Sequence, residues 1–324
     1  MNNPNLVLYG MNRLGPYHIL DYVDDVRATG FTTIVLGMLH IGNPVVKSTT
    51  QLGDIIFNGD EPLVIRDGER PFPLVTGEQH VACMAWPGRV AALKGGSTSV
   101  TRIFASVGGG GAGVNRVRDF ETIQTIYEAN GKTFANSVLE RNFRALRYLF
   151  PAIDGIDLDC EDTYDPASFV AFCEMLIGLG FELTFCPYWD PSFWANALFA
   201  LEQKQPMHVK WWNLQCYDGG GSNNPDTWAA AIGSVFGQPP AKDYIVPGRA
   251  ARFWDGGWKG ECPSQIAQDF AAWPKASLAG GFIWEMDLII TTEYAPNSAE
   301  ACQGAPRPPG LADYAQALKK GLGS

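Results

Sequence analysis

Residues 154–179 read DGIDLDCEDTYDPASFVAFCEMLIGL, and this stretch contains the unit from which the rest of the chain is built. In Gly155–Asp159 apolar side chains alternate with aspartates, the period of a strand. Asp165-Pro166 then supplies a capping acid followed by a proline in a first turn, where its missing N–H costs nothing. Phe169, Phe172, Met175, Leu176 and Leu179 recur at helical spacing, so one face of Pro166–Leu179 packs inward.

Outward from this stretch the same strand–helix pair recurs in both directions. The other strands are expected at Leu6–Tyr9, Thr32–Leu39, Arg102–Val107, Glu182–Pro187, Val209–Gln215, Tyr244–Pro247 and Gly281–Trp284. The other helices are expected at Pro16–Ala28, Gly88–Lys94, Phe120–Leu149 with a break near Gly131, Pro191–Gln203, Pro225–Phe236, Pro263–Trp273 and Pro309–Leu322. Most of the strands are apolar on both faces, as in a parallel sheet covered by helices. Eight β-then-α units in strict alternation predict an α/β fold closed as a (β/α)8 TIM barrel. An open doubly wound sheet would need a phosphate-binding glycine loop after its first strand, and Tyr9-Gly10-Met11-Asn12 is not one. The 324 residues suit one such barrel with insertions, so residues 1–324 are read as a single catalytic domain. Between the second and third strands, Asp54–Phe57 and Pro62–Ile65 flank Asn58-Gly59-Asp60, a tight-turn sequence that predicts an inserted β-hairpin above the barrel mouth.

Apolar residues make up 46% of the chain, enough for a substantial core. The net charge is −10 and no basic stripe is present, which argues against nucleic acid or an anionic membrane as partner but not against a neutral polysaccharide. No apolar run approaches the ~20 residues of a membrane span. No basic-then-apolar leader is visible at the N-terminus, so the expectation is a soluble chain, cytoplasmic or exported after processing, and monomeric. The four histidines are scattered and the seven cysteines form no CxxC pair, so neither a metal site nor a cofactor is expected. Cys160, Cys186 and Cys216 lie in apolar runs and read as buried thiols, whereas Cys262 and Cys302 fall in loop-like stretches where pairing is possible in principle.

The strand at Gly155–Asp159 carries the chemistry. Alternate side chains share a face, so Asp157, Asp159 and Glu161 project together, spaced roughly 6.6 Å apart, with Ile156, Leu158 and Cys160 opposite. Three acids on one side of a buried strand are costly. Neighbouring carboxylates raise one another's pKa, so the outermost, Glu161, is expected to hold a proton near neutrality and to donate it at the catalytic end of the barrel. A calcium loop would need a glycine at its sixth position, and none is there.

Asp154-Gly155-Ile156-Asp157-Leu158-Asp159-Cys160-Glu161 matches the DxxDxDxE signature and so resembles glycoside hydrolase family 18, the chitinase family. Ser106-Val107-Gly108-Gly109 is similar to the family's SxGG on the third strand, and Gln215-Cys216-Tyr217-Asp218 to its sixth-strand segment. Trp284 resembles the tryptophan at the end of the eighth strand that floors the cleft, and Tyr9-Gly10-Met11-Asn12 the end of the first strand in short plant-type members. The resemblance implies a substrate-assisted, retaining hydrolysis of linkages beside N-acetylglucosamine, in an oligo- or polysaccharide. Glu161 would be the acid and then the base, Asp159 the orienter of the acetamido N–H, Asp157 its partner, and Tyr217 the hydrogen-bond donor to the acetamido oxygen. Trp284, Tyr9, Gln215, Asp218, Trp189 and Glu285 would line the substrate site. Cys160 and Asp162-Thr163-Tyr164 depart from the residues common beside the acid in bacterial chitinases.

The span from Gly248 to Leu278 leaves no room for the insertion domain that walls a tunnel in many exo-acting members, which predicts an open groove and endo cutting. Alternatives stay open: an endo-β-N-acetylglucosaminidase on N-glycans or peptidoglycan, a two-carboxylate glycosidase using Glu161 and Glu285, or a non-catalytic chitin-binding lectin. The consecutive Gly108–Gly111 read as a place of close backbone approach, since no Lys-Ser or Lys-Thr follows to make a phosphate cradle. Trp189, Trp211, Trp212, Trp254 and Trp258 are candidates either for sugar stacking or for core packing.

Overall fold

The computed structural model describes residues 4–45, 50–57, 64–68, 77–110, 118–218, 223–239, 242–252, 260–273, 278–293, 302 and 307–323. Its strands are β1 (Asn5–Gly10), β2 (Thr33–Ile41), β3 (Ile55–Phe57), β4 (Val64–Ile65), β5 (Arg102–Gly108), β6 (Gly155–Asp159), β7 (Glu182–Phe185), β8 (Val209–Gln215), β9 (Ile245–Ala250) and β10 (Gly280–Trp284). Eight of them run parallel in the order β1-β10-β9-β8-β7-β6-β5-β2, and β1 pairs with β2 to close the ring. The fold is therefore a (β/α)8 barrel. The predicted hairpin is β3 and β4, antiparallel to each other, with β3 also antiparallel to Leu39–Ile41 at the mouth end of β2. Its expected turn, residues 58–60, lies outside the described residues.

The helices are α1 (Ile19–Ala28), α2 (Gly77–Ala92), α3 (Asp119–Ala129), α4 (Val138–Leu149), α5 (Pro166–Gly178), α6 (Pro191–Lys204), α7 (Pro225–Phe236), α8 (Pro263–Ala272), α9 (Met286–Glu293) and α10 (Leu311–Leu322). Asp165, Asp190 and Asn224 cap α5, α6 and α7 just ahead of a proline in the first turn, as their sequences require. The expected break near Gly131 separates α3 from α4. Two helices differ from expectation. α2 begins well before Gly88 and carries Pro87 inside it, because Cys83, Trp86 and Val90 form one buried face whose packing outweighs the proline's lost hydrogen bond. Trp86 is further fixed by an indole hydrogen bond to the Leu14 carbonyl at 2.8 Å. The other is α9, which directly follows β10 and was not anticipated.

Side chains alternate across the barrel wall. Leu8, Leu36, Ile156, Leu158, Trp212 and Leu214 point out to the helices, whereas Val7, Val35, Phe104, Trp211, Val246 and Phe282 fill the interior. Gly248 leaves space for the Phe282 ring, since a Cβ there would stand 2.0 Å from it. This apolar plug is the floor on which the polar residues of the mouth rest. Cys262 and Cys302 form a disulfide, while Cys83, Cys160, Cys173, Cys186 and Cys216 are buried free thiols.

Candidate active site

Above the plug, residues from neighbouring strands form a polar layer. Ser106 on β5, Asp157 on β6 and Thr184 on β7 share one register row. Asp157 is fully buried and accepts hydrogen bonds from side chains of four other strands. Tyr9 Oη (2.8 Å) and Ser106 Oγ (2.7 Å) donate to its Oδ2, and Thr184 Oγ1 (2.6 Å) and Asn213 Nδ2 (3.0 Å) to its Oδ1. Trp211 Nε1 in turn holds Asn213 Oδ1 at 2.9 Å. Burial pushes the Asp157 carboxyl up, and the four donors pull against that shift without cancelling it. The buried Tyr9 phenol is raised well above its usual range by burial and then by the Asp157 charge, so it remains a donor.

One step along the strand, Asp159 and Glu161 are neighbours bridged by one amide. Gln215 Nε2 donates to Asp159 Oδ1 at 2.9 Å and to Glu161 Oε1 at 3.1 Å, joining β8 to both acids. Burial raises both carboxyls, Asp159 the further because Glu161 and Asp157 add their charge. Both carboxyls are thus pushed toward holding a proton, as the crowding of the row requires, and Asp159 is the more deeply enclosed of the two. The glycines of the β5 end allow this packing. A Cβ on Gly108, at φ +110°, would stand 2.1 Å from the Asp159 carbonyl oxygen, and one on Gly110 would stand 2.6 Å from Glu161 Oε2.

Three aromatic rings adjoin the acids. Trp284 at the end of β10 packs on Tyr9 (centroids 5.5 Å apart) and lies nearly parallel to Tyr217 (6.4 Å, 22° between planes). The Tyr217 phenol is raised well above its usual range, by burial first and then by Cys186, Asp159, Glu161 and Asp218. Asp218 is exposed, and its charge is near enough to raise Glu161. Tyr9, Asp157, Asp159, Glu161, Gln215, Tyr217, Asp218 and Trp284 are thus brought together.

Two other predicted residues are placed differently. Trp189, on the loop after β7, is 58% exposed, a free aromatic face at the mouth side. Glu285 is buried behind Trp284 and its oxygens accept the amides of Asp287 (2.8 Å) and Leu288 (3.2 Å), so it caps α9. Burial and then the Asp287 charge push its carboxyl up to about 8. Trp211 and Trp212 are buried and belong to the core, and Trp254 and Trp258 lie outside the described residues.

The sequence reading did not single out Thr184, Asn213 or Cys186 as site residues. The signal for Thr184 and Asn213 was a polar residue at an inward position of an otherwise apolar strand. Cys186 is buried beside the acids and accepts from Gln215 Nε2 at 3.5 Å.

No family model matches the chain, and no curated protein matches it. Solved structures do. The catalytic domain of a family GH18 chitinase from the fern Peteris ryukyuensis superposes with a TM-score of 0.55 at 14% identity, covering 98% of this chain and 99% of that one. A GH18 chitinase from Pseudoalteromonas aurantia gives 0.55 at 13% identity, covering 92% and 98%. Catalytic-site mutants of active domain 2 of a Pyrococcus furiosus chitinase, complexed with chito-oligosaccharides, give 0.58 at 12% identity, covering 99% and 95%. At these identities the likeness is one of fold.

Proposed function

We propose that this chain is a single-domain, endo-acting glycoside hydrolase that cleaves β-1,4 linkages beside N-acetylglucosamine with retention of configuration. One observation carries the reading: Asp157 and Asp159 of β6, and Glu161 just beyond its end, gather in the same mouth as Gln215, Tyr217 and Trp284, with Gln215 bonded to both outer acids. The barrel likeness to chitinase catalytic domains, one of them complexed with chito-oligosaccharides, supports the choice of substrate class.

In this reading a sugar bearing a 2-acetamido group rests on Trp284. Glu161 gives its proton to the glycosidic oxygen as the C–O bond breaks. The acetamido oxygen attacks the anomeric carbon from the opposite face, so the nucleophile comes from the substrate. Asp159 turns its carboxyl to the acetamido N–H and balances the positive charge of the oxazolinium ion. The Asp157 cradle of Tyr9, Ser106, Thr184 and Asn213 keeps a counter-charge fixed beneath it. Tyr217 donates to the acetamido oxygen, and its suppressed ionisation keeps that proton available. Water then opens the ion, passing its proton to Glu161. Trp189 offers a stacking face beyond the cut. The two-carboxylate alternative is disfavoured because Glu285 is occupied with capping α9.

The test is hydrolysis of N-acetylated chitotetraose followed by NMR of the first-formed anomer. The wild-type chain should release the β-anomer, and Glu161→Gln should bind the oligosaccharide while losing turnover. Release of the α-anomer, or full turnover by the variant, would overturn the reading.

A further inference from the structure

We infer that Asp162, which lies outside the acidic signature, is a positioning residue for Glu161, clipping the acid's loop to the first turn of α3. This rests on the proposed role of Glu161 as the acid.

Glu161 stands beyond Asp159, the last residue of β6, so Gln215 of β8 holds its carboxyl but the barrel's own ladder does not hold its backbone. Its loop needs other fixings, and the structure supplies two kinds. The first is local: Cys160 Sγ lies 3.1 Å from the Thr163 carbonyl, and Tyr164 Oη donates to the Cys160 carbonyl at 3.0 Å. These bonds shape the turn, and the Tyr164 ring also packs edge-on against Phe193 of α6, with centroids 4.9 Å apart. The second is Asp162, whose Oδ1 accepts from the Phe120 amide at 3.3 Å and whose Oδ2 accepts from the Glu121 amide at 3.0 Å.

The first-turn amides of a helix have no partner within it, and normally the residue before the helix supplies one. In α3 that residue is Arg118, which makes no capping bond from its side chain. Asp162 fills the vacancy from a different loop, more than forty residues along the chain. α3 is itself held in place. Asp119 is buried, accepts the Ile41 amide at 2.6 Å and pairs with His40 Nδ1 at 2.9 Å. A chain of fixings therefore runs from the end of β2, through the start of α3, to the residue next to Glu161.

The same carboxylate acts electrostatically. Asp162 is raised to about 6, by burial first and with Asp119 adding to the shift. Its charge and that of Asp218 both raise Glu161, and Asp159, Tyr164, Tyr217 and Cys186 are the other ionisable groups near enough to interact with it. Removing the charge while keeping an acceptor should make Glu161 easier to ionise. Removing the acceptor should let the acid wander, and misplacement of a catalytic group by ~1 Å can cost on the order of a hundredfold.

The experiment compares Asp162→Ala, Asp162→Asn and Glu161→Gln with the wild-type chain, reading kcat, KM and the pH profile on acetylated chitotetraose, with thermal melting alongside. Asp162→Ala should lower kcat by on the order of a hundredfold with KM nearly unchanged. Asp162→Asn should recover most of kcat, and the alkaline limb of its profile should move to lower pH. A wild-type kcat in Asp162→Ala would overturn the inference. So would an alkaline limb unmoved in Asp162→Asn, which decides the matter if Asp162→Ala fails to fold. Full turnover by Glu161→Gln would instead remove the reading on which it rests. An inactive Glu161→Gln beside Asp162 variants of wild-type behaviour would remove this inference alone.

Discussion

β6 and β10 each carry a glutamate just past their last paired residue, and the two are held in different ways. Both are pushed up by burial. The Glu161 carboxyl meets side chains, Gln215 at 3.1 Å and the neighbouring Asp159, and remains part-exposed to the pocket. Glu285 is 6% exposed, and its carboxyl oxygens accept backbone amides of α9. A raised pKa alone does not mark a catalytic acid. The partners do, because a carboxyl bound to side chains can exchange its proton as they turn, whereas one bound to the amides of its own helix can do so only if the helix frays.

The contrast breaks most visibly in turnover. Glu161→Gln should lower kcat on acetylated chitotetraose by ~10²–10⁴, the usual worth of a general acid, whereas Glu285→Gln should stay within about tenfold of wild type. Loss of activity in Glu285→Gln, without inhibition by a thiazoline mimic of the oxazolinium ion, would give the second carboxylate to Glu285 instead. Next in size, Asp159→Asn should cost about a hundredfold or more in kcat, since it removes the charge facing the ion, and the thiazoline should bind it less tightly than wild type. Tyr217→Phe should be milder, about tenfold, and confined to kcat if the hydroxyl acts on the attacking oxygen.

The smallest effect separates the two glutamates by stability. Glu285 has a folded pKa of about 8, above the ordinary carboxylate value. Between that ordinary value, ~4.3, and about 8, the folded state holds a proton the unfolded state has lost, so this group's contribution to stability falls as pH rises through the window. Glu285→Gln removes the titration. Its Tm relative to wild type should therefore climb from pH 5 to pH 8 and level off above that. A Tm difference independent of pH would mean that Glu285 does not titrate in the fold as its burial requires.

Much of the barrel was legible because local signals and global packing agree in it. Apolar strands, capping Asp-Pro pairs and 3.6-residue stripes all point the same way. α2 was legible only in part because Pro87 reads as a helix start, and what overrides it, the burial of Cys83 and Trp86, belongs to tertiary packing. In the site, strand alternation alone placed Asp157, Asp159 and Glu161 on one face. The donors to Asp157 from β7 and β8 depend on register between strands far apart in sequence, so Thr184 and Asn213 looked like ordinary polar residues. Asp162 was quoted in the signature's flank, but its bonds to α3 cross a gap that no local pattern spans.

The most direct measurement is a comparison of acetylated chitotetraose with the same tetramer fully deacetylated, at equal concentration and pH. If the nucleophile belongs to the sugar, the first is cleaved and the second is left intact. Comparable cleavage of both would mean that the protein supplies the nucleophile, and the acids of β6 would need another explanation.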